Sequence, residues 1–384
     1  AVGSAAMNQN TTGQLNTAVG FNTLYFNTTG TGNVALGDNA LTTNVAKSYS
    51  TAIGYYAMHY AHSGAAATTY NTAVGAFALQ GSTTAANNMG TMNTAIGHSA
   101  LISNTGGGNN SALGNGALHD NTTGTSNTAM GYSALYQNTG AVNNTAVGSN
   151  ALYGNVAKIE STAVGYRAMY NADNSAVTAT TYNTALGAYA LQGSATRSDN
   201  TGQTNTAIGH SALIGNTSGS GNVAVGSQAL SSNTSNGGNT AIGHQALATN
   251  TGGENTAVGW GALISNINGN NNTAIGNSAG NTVTTGSGNI LLGYNVQTPA
   301  ATTSNYLNIG GAIYGDMATG NLTFGGTAAV TIPAGTTAQR PTGVNGMLRY
   351  NSQSGKFECT TTLQRMTNGF PTHIQRMKRQ KMAK

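Results

Sequence analysis

The chain has 384 residues, only 5% of them charged, and a formal net charge of +5. Globular domains carry about 25% charged residues, and the few here are also too few to hold a disordered chain open. With 55 Gly in no period of three and only 4 Pro, collagen is excluded; the single Cys excludes a disulfide scaffold, and no apolar run of about 18 residues offers a membrane span.

From the N-terminus onward, a unit reading Asn-Thr-Ala-aliphatic-Gly, two variable residues and Ala-Leu recurs. It reads NTAVG at 16–20, NTAIG at 93–97, NTAVG at 144–148 and NTAIG at 272–276. The first residues, AVGSAAM, are the second half of such a unit without initiator Met or signal peptide, which predicts that further sequence precedes them. The glycine runs from Gly3 to a degenerate copy at Gly310, mostly 17 residues apart. Longer spacings place insertions near 59–70, 80–92, 170–182 and 192–204. A second layer of repetition lies above the first. NVAKSYSTAIGYYAM at 44–58 returns as NVAKIESTAVGYRAM at 155–169, and TTYNTAVGAFALQGS at 68–82 as TTYNTALGAYALQGS at 180–194. A block of six units has been duplicated in tandem.

Seventeen residues are about half of what a helical solenoid repeat needs, and the unit lacks helix-forming surface residues and carries a recurrent Gly. Two short strands and two turns fit: NTAVG as the first strand, Ala-Leu as the second. Wound in register, such coils form an all-β, parallel β-solenoid. Asn recurs four residues before the glycine (Asn16, Asn93, Asn127, Asn205) and seven after it (Asn27, Asn104, Asn138, Asn216). Asn and Gly suit the turns, with Gly20, Gly97, Gly131 and Gly209 as examples, and stacked Asn amides predict ladders between coils. The core is expected from the residue before the glycine (Val19, Ile96, Met130) and the one four after it (Leu24, Leu101, Leu135). The Ala two before the glycine implies a place too tight for anything larger. Two large apolar side chains per coil, at about 1.5–3 kcal/mol each, are set against about 1–2 kcal/mol of backbone entropy for every ordered residue. Association with identical chains is therefore expected.

The NTAVG-xx-AL unit resembles the head repeats of YadA-like trimeric autotransporter adhesins, and similar repeats occur in bacteriophage tail fibres. The resemblance covers residues 1–310 and implies a left-handed β-roll assembled as a homotrimeric fibre. Residues 311–334 are expected to form a β-rich transition segment, and the overlapping stretch 304–326 (SNYLNIGGAIYGDMATGNLTFGG) resembles one that often follows such repeats in phage fibres. Residues 335–359 resemble a short phage-fibre module through Gln339, Arg340, Pro341, Gly346, Met347, Leu348, Arg349, Tyr350, Asn351, Gly355, Lys356, Phe357 and Glu358. Residues 360–384 form a basic tail that matches nothing recognisable. No coiled-coil stalk or membrane-barrel strands follow, which favours a phage tail fibre, a virion protein, over a bacterial cell-surface adhesin. A self-assembling extracellular filament is the other alternative, and an ice-binding solenoid with recurrent Thr a remote one. The implied partners are further copies of the chain, other tail proteins and a host-cell surface receptor, a glycan by expectation.

Charge and side-chain chemistry narrow the function. Residues 1–310 hold Lys47, Lys158, Arg167 and Arg197 against Asp38, Asp120, Glu160, Asp173, Asp199 and Glu254, so the net positive charge belongs to the C-terminal end. That tail lacks stacking aromatics, so no specific nucleic-acid partner is expected. Aromatic and His residues follow the glycine in one row, which includes Tyr55, Tyr132, Tyr166, Trp260, His98, His210 and His244. The row reads as a solvent-facing strip suited to glycan contact, with the three His as weak candidates for a metal at a trimer axis. Loops on a rigid scaffold commonly carry recognition, which singles out Tyr60, Tyr70, Tyr170 and Tyr182 at the insertions. No paired carboxylates of glycosidase type, nucleophile elbow or Cys/His metal spacing is present. Neither catalysis nor a cofactor is expected.

Overall fold

The computed structural model describes residues 1–60, 67–84, 88, 90–172, 178–325, 334–336 and 348–359. The basic tail at 360–384 and parts of three insertions lie outside the described residues. The chain divides into two compact units, 1–323 and 324–384.

The first unit is a parallel β-solenoid. Sixteen three-residue strands, from Thr17–Val19 to Ile290–Leu292, pair in parallel in chain order. Register follows the repeat without slippage: Ala18 faces Ala35, Ala35 faces Ala52, and the column continues through Ala129 and Ala146 to Ala274. Each strand alternates, with its central residue buried (Ala in all but the last, where it is Leu291) and its flanking residues, mostly Thr and aliphatic, turned outward. The Ala column is wholly inaccessible, in keeping with the tight place expected for it.

That alternation corrects half of the expected core. Val19, Ile96 and Met130 are 36%, 37% and 45% exposed, on the outer face of the strand. In a strand of period two, a residue beside an inward Ala must face outward, however apolar it is. Leu24, Leu101 and Leu135 are buried as expected. The interior is thus thinner than two large apolar side chains per coil: two Ala, one Leu or Met, and Asn.

The Ala-Leu segment is not the second strand expected for it. Leu24, Leu101 and Leu135 have φ of 51°, 52° and 50°. In an extended strand, consecutive residues face opposite ways; the left-handed Leu lets both Ala and Leu turn inward. The backbone still bonds coil to coil, with Leu24 N–H donating to Ala40 carbonyl at 3.0 Å and Leu101 to Ala117 at 3.0 Å. This conformation also accounts for residue choice, since Leu and Met occupy the position while β-branched side chains are poorly tolerated at positive φ.

Asn side chains satisfy the polar interior. In the column after the glycine, Asn27 Nδ2 donates to Asn10 Oδ1 at 2.8 Å, Asn121 to Asn104 at 2.8 Å, and Asn138 to Asn121 at 2.6 Å. Farther along, Asn233 donates to Asn216 at 3.0 Å. In the column before the glycine, each Oδ1 accepts the backbone N–H of its successor: Asn16 from Asn33 at 2.9 Å, Asn93 from Asn110, Asn127 from Asn144 and Asn205 from Asn222 at 3.0 Å. The recurrent glycine closes each strand. At Gly131, φ is +135° and an added Cβ would stand 2.6 Å from the Gly148 carbonyl, so geometry and space both demand Gly.

Parallel pairing runs to Tyr306–Ile309, which pairs in parallel with Ile290–Leu292 and antiparallel with Ile313–Asp316, so a hairpin turn lies at Gly310. In the second unit, Ala334–Gly335 pairs in parallel with Leu348–Asn351, which pairs antiparallel with Lys356–Cys359. Asn351 Oδ1 caps that turn by accepting the N–H groups of Gln353 and Ser354 at 3.0 and 3.2 Å.

Candidate functional site

Two surfaces of the first unit stand out. One is the outer face of the strands, where Thr and aliphatic residues form parallel columns. Leu36, Leu113, Leu186, Ile242 and Ile275 are exposed there together with Val19, Ile96 and Met130. Alternation places them outside, and in-register stacking turns isolated side chains into a continuous apolar strip.

The other surface is aromatic. The row after the glycine is exposed, and it zigzags into the neighbouring position. Tyr55, Phe77 and His98 meet edge to face at 5.5 and 5.7 Å, and their duplicates Tyr166, Tyr189 and His210 at 5.3 and 5.8 Å. Trp260 stacks on His244 at 6.1 Å, while Tyr132 is exposed. The three His residues lie in different coils, and no group of three or more His, Cys, Asp or Glu suited to a metal occurs among the described residues.

The insertion tyrosines have separate surroundings. Tyr70 is exposed and stacks on Tyr49 at 5.8 Å. Tyr182 is exposed and hydrogen-bonds the Glu160 carboxylate, which pushes its phenol above the ordinary value. Tyr60 lies edge-on to His59 at 4.5 Å and lines a small pocket with Asn44, Lys47, Ser50, Met58 and Asn71. The duplicated block has the matching pocket around Asn155, Lys158, Ser161 and Asn183. Two short parallel pairs, Lys47–Ser48 with Ala67–Thr68 and Lys158–Ile159 with Ala179–Thr180, brace these coils.

Tyr170 belongs to a feature that the row does not contain. His119, Tyr136, Tyr153 and Tyr170, each 17 residues after the last, stack with centroids 4.5, 5.3 and 5.2 Å apart and planes within 20°. Burial, followed by the Asp120 charge, raises the Tyr136 phenol. Two guanidiniums flank the end of the stack: Arg167 lies 4.7 Å from the Tyr170 ring, and Arg197 lies 5.5 and 5.8 Å from Tyr153 and Tyr170.

Arg197 comes from the insertion at 192–204, which does not project as expected but lies back on the body. Its guanidinium donates to Gln137 Oε1, and Asn200 donates to the carbonyls of Asn171 and Ser194. The 17-residue spacing made the ring column legible in the sequence. It is easily passed over because Gln192, Ile214 and Ser231 occupy the same position in later coils.

Compared with known proteins, the chain matches no family model, no curated protein and no solved structure.

Proposed function

We propose that the chain is a non-enzymatic structural and attachment protein: a fibre of three identical chains, of the phage tail-fibre type, presenting its aromatic and insertion surfaces to a host-cell glycan. The observation that carries this reading is the exposed aliphatic column. A coil with one Leu, two small Ala and Asn inside is poorly supplied with core, while a Val, Ile, Leu or Met in every coil lies on the outer face, exposed or half-buried. Burying that strip against identical strips supplies the missing apolar contact, and three copies multiply weak glycan contacts through avidity.

Absolute mass by light scattering, at several concentrations, tests the assembly. The expected result is a concentration-independent mass near three chains, which Ile96→Lys with Met130→Lys converts to a single chain that keeps its β signal. A mass that grows with concentration replaces this reading with the self-assembling filament. A stable single chain of wild-type sequence defeats it.

One observation favours a second reading: an outward Thr column runs beside the aliphatic column on the same strands, Thr128 and Thr145 beside Met130 and Val147. Such a face resembles what an ice-binding solenoid presents. Val34, Val223 and Ile290 interrupt the Thr column. Thermal hysteresis by the wild-type protein would install this reading in place of the fibre.

A further inference from the structure

We propose that Arg167 and Arg197, with Tyr153 and Tyr170, form a binding site for an acidic polysaccharide. The site deepens the attachment reading above and rests on it.

Three observations converge here. First, both guanidiniums lie against the same ring, at 4.7 and 5.8 Å from the Tyr170 centroid, so two like charges share one aromatic platform. Among the described residues neither arginine is in an ion pair; the pair seen within 4.0 Å joins His119 and Asp120. Two like charges on one platform without a paired carboxylate favour an anionic ligand. Second, Arg167 Nε is buried and has no hydrogen-bond partner, so the fold leaves hydrogen-bonding capacity of this guanidinium unused.

Third, the tandem duplication supplies an internal control. In the first block, Thr42 stands for Tyr153, Thr43 for Gly154, Tyr56 for Arg167, His59 for Tyr170, Phe26 for Gln137 and Ala85 for Arg197. The two blocks keep their pocket-lining Asn, Lys and Ser residues, yet every one of these six positions has changed. Gly154 belongs to the set because a Cβ there would stand 3.0 Å from Arg197 Nε. A clamp for the insertion would need only Arg197 and Gln137. Arg167, held on the body at φ 54°, adds a second cation to the same ring and is left over by that explanation.

The surroundings select the class of anion. Glu160 lies in the coil of Tyr153 and Asp199 two residues from Arg197, so a densely charged polyphosphate meets repulsion outside the two arginines. A sugar polymer with spaced acidic groups suits two planar forks, with the edges and hydroxyls of the tyrosine column available to its rings and hydroxyls.

The test uses the full chain and immobilised polygalacturonate, dextran sulfate, neutral dextran and double-stranded DNA. The expected result is retention on at least one acidic polysaccharide, carboxylate or sulfate being distinguished by which, with none on dextran. Arg167→Ala and Arg197→Ala should each weaken binding about tenfold or more. Lys378→Ala with Arg379→Ala, in the basic tail, should leave most of it. Unchanged melting temperatures for the arginine variants show that folding is not the cause. The proposal is overturned by no preference for either acidic polymer over dextran, by arginine variants that bind like wild type, or by tighter arginine-dependent binding to DNA. Light scattering on the same samples separates the two readings: a trimer without polymer binding removes only this site, and a polymer-binding single chain removes only the trimer.

Discussion

Gly280 and Leu291 exchange volume across adjoining coils. Leu291 stands where every earlier strand has Ala, and a Cβ on Gly280 would come within 2.7 Å of its Cδ1 and 2.9 Å of Leu263 Cδ2. Gly280 in turn occupies the position that Leu263 and its predecessors fill. The last full coils keep their packing by moving bulk from one side of the interior to the other. Gly280→Leu should therefore cost about 1–3 kcal/mol through overpacking. Adding Leu291→Ala should recover most of it. A double-mutant cycle from denaturant unfolding should show coupling above about 0.5 kcal/mol, and simple additivity would contradict the exchange.

The left-handed Leu position separates side chains by shape more than by hydrophobicity. Leu135 has φ of 50°, and Met169 two coils on has φ of 49°. Leu135→Met should cost less than about 1.5 kcal/mol. Leu135→Ile, of equal volume but branched at Cβ, should lose more, by about 1–2 kcal/mol of backbone strain. Equal denaturation midpoints for the two variants would refute the assignment.

Asn121 sits mid-ladder, donating to Asn104 Oδ1 at 2.8 Å and to the Gly124 carbonyl at 3.1 Å, and accepting from Asn138 at 2.6 Å. Asn121→Ala strands several buried polar groups, each costing about 1–3 kcal/mol. Asn121→Asp should be worse than its near-identical shape suggests, because a carboxylate can donate to neither acceptor and brings an unpaired charge into the interior. Thermal melts of the two variants rank them.

His59 makes the first insertion coil sensitive to acid. Burial holds its imidazole below the ordinary value, partly opposed by the hydrogen bond to the Asn39 carbonyl at 3.1 Å. The folded state thus binds the proton less readily than the unfolded chain does. Its contribution to stability is intact above the unfolded value of about 6.5 and is lost as pH falls through the folded one. Wild type should lose stability as the buffer is taken from pH 7.5 toward 5, and His59→Gln should show a shallower loss. An identical slope in the variant would remove His59 from the account.

Coil length, parallel register, the two Asn columns and the recurrent turn glycine were all legible in the repeat. In a solenoid stacked in register, each residue lies over its own copy, so the period of the text is the period of the structure. What the repeat did not determine was sidedness. Val19 and Leu24 are both aliphatic and both recur, yet one faces water and the other is buried. The alternation of a three-residue strand and the left-handed turn at Leu24 decide that, and neither is a matter of composition. Nor could the repeat place Arg197 against Tyr153 and Gln137, which lie 44 and 60 residues earlier. That contact depends on an insertion folding back over the stack, and an insertion has no copy one period away to reveal where it lies.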